Sequence, residues 1–410
     1  MGVSARVEAR DPGAAALSLE AERRPNALVL VVWSVILLAV PIYFFQSGLP
    51  QPADIALALF CGAAAAAGLS RLGGAAIASA RRLTTYLVLV ACVNAFWFLL
   101  LGLNTGFLLS TTFAAFNTVV FVGFLGFAEL SPVRVLRWTG TVTALSLVAQ
   151  GVLAVVRPDL NNGARLTLYF NNPNQLAYYC LGASTIVLLI NAALPRQMPR
   201  LLVVASSLAS GFVIYMTYSR SALGGFAMLC AVPFVSRPSL VIAAAIPLAI
   251  VGSLADNPLS EDPLWQRRVE QAGEQRLSDY IEDRGIDRIV DNPEYLLIGS
   301  GEGAHERFHP FGLELHSSVA GIVFYYGVAG LAAFALFILS LVRGLPMSFL
   351  AYLAPTAIYS LFHNGLRFRI FWLLLAVVAV IHGLEHARSQ DAREPDPPPT
   401  PLPQRIRPRI

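Results

Sequence analysis

Apolar residues in this chain neither alternate nor keep to one helical face. They run on in blocks of roughly 16 to 23 residues, separated by short polar breaks. A bilayer core about 30 Å thick takes roughly 20 apolar residues per helix, so each block predicts a membrane-spanning helix. Twelve such helices are expected, over residues 27–45, 53–69, 84–103, 106–128, 138–156, 175–194, 200–216, 221–236, 238–254, 317–342, 346–363 and 368–385. The chain therefore reads as an all-α polytopic membrane protein. It divides into a polar tail (1–26), a membrane domain with spans one to nine (27–254), a large polar loop (255–316), spans ten to twelve (317–386) and a second polar tail (387–410).

Composition fits this division. The 410 residues are 56% hydrophobic and 13% charged, about half the charge of an ordinary soluble domain. All 29 basic residues are arginine, and the net charge is +4. The arginines are scattered among the loops, so no nucleic-acid partner is expected. They do carry a topology signal. Arg71, Arg81 and Arg82, then Arg134 and Arg137, then Arg196 and Arg200, then Arg237, then Arg343 fall in alternate connections, with Arg23, Arg24, Arg388 and Arg393 in the tails. The connections around Gly48 and Asn104 hold none. Both termini are thus expected in the cytoplasm, and the long loop outside it. The first 26 residues lack the apolar core and small-residue cleavage site of a signal peptide. Both tails, the second rich in Pro and Arg, read as disordered.

Five arginines oppose the topology signal: Arg157, Arg165, Arg220, Arg367 and Arg369. An arginine at a membrane interface needs a partner or hydration. Snorkelling or an ion pair would supply it, and so would an anion site, because a guanidinium grips pyrophosphate bidentately. The long loop adds six arginines and 14 of the 25 acidic residues. Trp265, Val269, Leu277, Tyr280, Ile281 and Ile289 recur in it at roughly helical spacing, which predicts one or two amphipathic helices. The glycine cluster Gly299-Ser300-Gly301-Glu302-Gly303 lacks the strand–turn–helix setting of a phosphate loop and reads as a plain loop.

Candidate chemistry is sparse elsewhere. Cys61, Cys92, Cys180 and Cys230 all lie in apolar runs and have no metal-ligand spacing. His305, His309 and His316, near Glu302, Glu306 and Glu314, show no HExxH-type pattern, so no metal and no cofactor are expected.

From His316 the chain reads His-Ser, nine residues, Gly327, two residues, Gly330. This resembles the H-[NSQ]-x9-G-x-x-G pattern of the O-antigen ligase and Wzy-type O-antigen polymerase family. Arg165 through Phe170-Asn171-Asn172-Pro173-Asn174-Gln175 is similar to that family's F-x-N-P-N segment, and Tyr218-Ser219-Arg220-Ser221 is similar to its S-R turn. The resemblance spans about residues 160–385. It implies transfer or polymerisation of an undecaprenyl-pyrophosphate-linked glycan onto a glycan, a lipid A core or a similar acceptor, outside the bacterial cytoplasmic (inner) membrane.

The residues suit that chemistry. The donor carries its own leaving group, so no ATP site is needed. Histidine supplies a base near neutral pH, and arginine supplies charge for the departing pyrophosphate. On this reading His316 is the base. Arg220, Arg276 and Arg165 hold pyrophosphate, with Arg267, Arg268 and Arg284 as rivals to Arg276. Asn172, Asn174, Gln175 and Tyr218 line the cavity. Asn174 could instead cap the sixth span, and Arg220 could be a helix-end anchor. His363, Asn364 and Gly365 with Arg367 and Arg369 form a further outer cluster. A twelve-helix transporter or a lipid-linked oligosaccharide flippase is the alternative, although no internal two-fold repeat is visible.

Overall fold

The computed structural model describes residues 25–46, 48–157, 159–162, 165–195, 197–235, 264, 266–267, 270 and 281–391. The span expected over 238–254, most of both tails, the proposed amphipathic positions Trp265 to Tyr280 and the predicted site residue Arg276 lie outside them.

The described elements run α1 (Ala27–Ala39), α2 (Pro52–Gly68) with a 3-10 turn (Leu69–Arg71), α3 (Gly74–Leu100), α4 (Thr105–Ala128), α5 (Pro132–Val156), β1 (Asn161–Asn162), β2 (Arg165–Leu166), α6 (Pro173–Ala193), α7 (Arg200–Met216) and α8 (Arg220–Val235). Within the long loop lie the short helices α9 (Asp287–Asp291) and α10 (Tyr295–Ile298), and after it come α11 (Ser318–Val342), α12 (Met347–Phe362) and α13 (Arg369–Asp391). β1 and β2 form a small antiparallel pair, with Asn161 opposite Leu166 and Asn162 opposite Arg165.

Among the described residues, seven helices are long and apolar enough to cross a membrane: α2 with its 3-10 turn, α3, α4, α5, α6, α11 and α13. α1, α7, α8 and α12 are apolar but shorter. At 1.5 Å per residue, the 17 residues of α7 rise about 26 Å. Leu59, Leu99, Leu201 and Leu208 are each more than 70% exposed on the outside of the bundle. Lipid tails are the solvent such a surface fits. The protein is thus an α-helical membrane protein.

Several boundaries differ from expectation for local reasons. α3 begins ten residues before the expected span, because Gly74–Ala80 is rich in Ala and the helix carries on past Arg81 and Arg82, both exposed. α6 begins at Pro173, capped by Asn172, whose side chain accepts from the Asn174 amide at 2.8 Å. The cap is therefore Asn172 and not Asn174. Proline fits the first helical position, where its missing N–H is no loss.

Small residues set the inter-helix spacing. A Cβ on Gly126 would stand 2.5 Å from the Ala64 carbonyl, and one on Gly123 would stand 2.3 Å from the Cys61 carbonyl. Glycine there lets α2 and α4 touch through their backbones. α6 is the central helix, with Leu176, Ala177, Tyr178, Cys180, Leu181 and Ile186 fully buried.

α11 is broken at Gly327, where φ is 66° and ψ −171°. The break frees carbonyls from the helical ladder, and the loop takes them up. Ser300 N–H donates to Phe324 O and Gly301 N–H to Tyr325 O, both at 2.9 Å. A Cβ on Gly327 would meet the Leu297 carbonyl at 2.6 Å, and one on Gly299 the Tyr325 carbonyl at 2.4 Å. Cβ atoms on Gly301 and Gly303 would strike Phe107, and Gly301's would also strike Trp97. The glycine cluster is thus a strap threaded between α3, α4 and α11. Trp97 Nε1 donates to Gly299 O at 2.8 Å, and Arg307 ties the strap by donating to Ser300 O at 2.6 Å while stacking on Trp97 and Phe308.

Candidate functional site

The connections 40–51, 101–104, 157–172, 217–219 and 363–368 gather with the described part of the long loop at one end of the bundle. Cross-links show the gathering. Asn104 donates to Glu306 at 3.3 Å, Asn171 to Phe45 O at 2.9 Å, and Arg369 to Val40 O at 2.8 Å. A cavity of about 610 Å³ opens there. Its lining includes Tyr43, Asp54, Asn172, Asn174, Gln175, Arg284, Glu314, His316, Tyr359, His363, Asn364, Arg367 and Arg369. The starts of α2, α6, α11 and α13 and the end of α12 all reach it.

His316 is exposed at the mouth of α11. Ser317 caps that helix by accepting from Ala320 N–H at 3.3 Å, so the His-Ser pair of the motif turns the chain into the span. His316 Nδ1 lies 2.8 Å from the Glu314 carbonyl. A carbonyl only accepts, so Nδ1 carries the proton. The neutral ring then keeps its lone pair on Nε2, the form a general base requires.

His363 is held differently. Its Nδ1 is 3.3 Å from the Arg284 guanidinium, which only donates, and its Nε2 is 3.2 Å from Ser221 Oγ. Nδ1 is therefore the acceptor and Nε2–H the donor. The ring stacks on Tyr359 at 4.3 Å. Burial, then the Arg284 charge, then His316 push its pKa down to about 3. His363 is a neutral fixture that orients Arg284. The same guanidinium donates to Phe362 O.

Arg367 has two carboxylate partners. Its Nε and NH2 reach Glu302 Oε1 at 3.2 and 2.7 Å, and NH1 meets Glu314. Burial opposes the charge, but Glu302 and Glu314 outweigh it and hold the guanidinium firmly ionised. Burial also pushes the Glu302 carboxyl up, but Arg367 and the Tyr326 hydroxyl, donating at 2.6 Å, bring it below the usual range. Arg369, 8% exposed, pairs with Asp54 and lies 4.9 Å over Tyr43. Asp54 also completes the cap of α2 by accepting from Gln51 N–H at 2.8 Å.

The expected residues are thus distributed as follows. His316, Asn172, Asn174 and Gln175 line one cavity. Arg165 stands behind it, donating to Asn174 Oδ1 at 2.9 Å and to Thr217 O at 2.8 Å, and so joins the F-x-N-P-N segment to the S-R turn. Tyr218, at φ 53°, is buried in that turn. Arg220 starts α8 half-buried, and its neighbour Ser221 contacts His363. Tyr218 and Arg220 stand beside the lining rather than in it. Arg284, a rival to Arg276 on sequence, lines the cavity. The outer cluster of His363, Asn364, Arg367 and Arg369 lines it too. Asp54, Glu302 and Glu314 did not stand out in the sequence as site residues. A carboxylate that neutralises an arginine 65 or 315 positions away leaves no local pattern. Among the described residues, no three His, Cys, Asp or Glu side chains gather as a metal site.

Scanned against protein-family models and searched against curated proteins, the chain matches none.

Proposed function

We propose that this protein is a membrane glycosyltransferase of the O-antigen ligase and polymerase type. It spans the bacterial cytoplasmic membrane twelve times with both termini in the cytoplasm, and its cavity faces outward under the long loop. The donor is an undecaprenyl-pyrophosphate-linked glycan, and the acceptor is a glycan or lipid A core hydroxyl. One observation carries the reading: His316, with Nδ1 committed to the Glu314 carbonyl, lines the same cavity as Arg284, Arg367 and Arg369.

The reaction follows from the groups present. The acceptor oxygen attacks the anomeric carbon, and its proton passes to His316 Nε2. The bond from that carbon to the phosphate oxygen breaks, and the carrier pyrophosphate leaves as an anion. Attack opposite the leaving group inverts the centre. Arg284 and Arg367, both in the cavity lining, face the developing charge. Preoriented cations in a half-buried site stabilise it far better than they would in water. The N-termini of α6, α11 and α13 add partial positive charge to the same cavity. Asn172, Asn174 and Gln175 supply amide groups for sugar hydroxyls, with Arg165 fixing Asn174 from behind.

The test is transfer in vitro from a defined undecaprenyl-pyrophosphate glycan to a panel of acceptors. Wild-type protein should transfer to at least one, and His316→Ala should abolish transfer while inserting and folding normally. Full activity in His316→Ala, or no transfer by the wild type to any acceptor, would overturn the reading.

A further inference from the structure

His316 is useful as a base only if its ring is held in one tautomer and one direction. The ring is held by a carbonyl, that of Glu314. The same peptide unit carries the Leu315 N–H on its opposite edge. A peptide is planar, so whatever fixes that N–H fixes the carbonyl as well. The Leu315 N–H donates to the Tyr325 hydroxyl at 3.0 Å. Leu315 is fully buried and Tyr325 is 3% exposed.

We infer that Tyr325 is a positioning residue for His316, acting through the peptide between Glu314 and Leu315. This rests on the reading of His316 as the base. The chain of contacts is Tyr325 Oη, Leu315 N–H, Glu314 C=O and His316 Nδ1–H. Further ties hold the same segment. The Glu314 carboxylate meets Arg367 and lies 3.9 Å from His305 Nε2, Arg288 donates to Leu313 O at 2.6 Å, and the His316 N–H donates to Arg284 O at 3.1 Å. None of them grips the edge of the peptide that faces Tyr325. The hydroxyl therefore governs the rotation of that plane, and with it the imidazole. Tyr325 can do this because its own backbone is anchored next to the break at Gly327, where its carbonyl accepts from Gly301 N–H.

The test is Tyr325→Phe, which keeps the ring and its packing and removes one oxygen. In protein labelled with 15N-histidine and reconstituted in lipid, the His316 nitrogens are assigned by their loss in His316→Gln. Wild type should show a protonated Nδ1 and a bare Nε2, and Tyr325→Phe a mixture of tautomers. In the transfer assay kcat should fall about tenfold, the worth of one buried hydrogen bond expressed in the transition state, while the donor KM stays within about threefold. A wild-type nitrogen pattern in Tyr325→Phe would overturn the assignment, whatever happened to the rate. A purely structural role would lower the melting temperature without altering that pattern. If the wild type transfers no glycan at all, the functional reading fails, and the nitrogen spectra still decide whether Tyr325 orients His316.

Discussion

The two ends of the helix bundle solve the same problem in different ways. Every helix leaves its first N–H groups without an intrahelical partner. At the cavity end, α2, α4, α6 and α11 begin at Gln51, Asn104, Asn172 and Ser317, and each start is satisfied by a side chain. At the opposite end, α3, α5, α7 and α12 begin at Gly73, Ser131, Pro199 and Pro346, and none has a side-chain cap bond; α1, which starts there too, is the exception, with the Asn26 side chain accepting from Leu28 N–H at 3.0 Å. Most arginines divide in the same way, the exceptions being half-buried Arg134 at the opposite end and exposed Arg157 at the cavity end. Arg71, Arg81, Arg82, Arg137, Arg200 and Arg343 are exposed at the opposite end. At the cavity end Arg165, Arg284, Arg367 and Arg369 are buried or half-buried and bonded to named groups. One end meets water with loose charge, and the other is built to fixed geometry. The glycosyl transfer proposed for the cavity would need the second kind.

This contrast can be broken experimentally, and the largest effect should come from Arg367→Ala. It strips the half-buried Glu302 of its ion pair, and a lone charge left in such a place costs about 3–5 kcal/mol. Thermal unfolding in detergent should show the loss, and transfer should vanish. Gly327→Val comes next. A side chain there faces the Leu297 carbonyl in a left-handed conformation, and about 2–4 kcal/mol of stability should disappear. Asn172→Ala removes the cap of α6 and should cost about 1 kcal/mol. Arg137→Ala, at the opposite end, loses an exposed contact to Gln197 and should move stability by less than about 0.5 kcal/mol, with transfer unchanged. If Arg137→Ala matched Asn172→Ala, the two ends would not differ as described.

Acidity sharpens the contrast. His363 has a folded pKa of about 3, against 6.5 in a free chain. Between these values the unfolded chain binds the proton and the folded one resists it, so stability should rise with pH across that window and be lost as pH falls through it. The lowered Glu302 carboxyl acts in the same direction, its contribution present above the unfolded pKa and lost as pH falls through the folded one. His363→Gln should flatten the part of the melting-temperature profile above about pH 4.5, and leave the more acidic part due to Glu302 in place.

The described helices were legible in the sequence because each apolar run is local and nearly continuous, while the span expected over 238–254 lies outside the described residues. α6 was legible to within two residues, and only the choice between Asn172 and Asn174 as its cap went astray. The motif residues His316, Asn172, Asn174 and Gln175 were also legible, and the structure places them together. What stayed hidden depends on distance along the chain. Gly299–Gly303 looked like a plain loop because its neighbours Trp97 and Phe107 lie some 200 residues earlier. Asp54 looked like an ordinary helix-start acid because its arginine is 315 residues later. Arg284 could not be ranked above Arg276, since both sit in one charged loop and nothing local distinguishes them.

The strap at Gly299–Gly303 limits how the protein can be recombined. Its amides complete the hydrogen bonding of α11 where Gly327 interrupts it. The loop is therefore not an interchangeable cover but a missing piece of the helix ladder. A chimaera that brings in another loop must bring its glycines and the matching break in the helix as one unit. A loop graft on its own would leave the Phe324 and Tyr325 carbonyls without donors in an apolar interior.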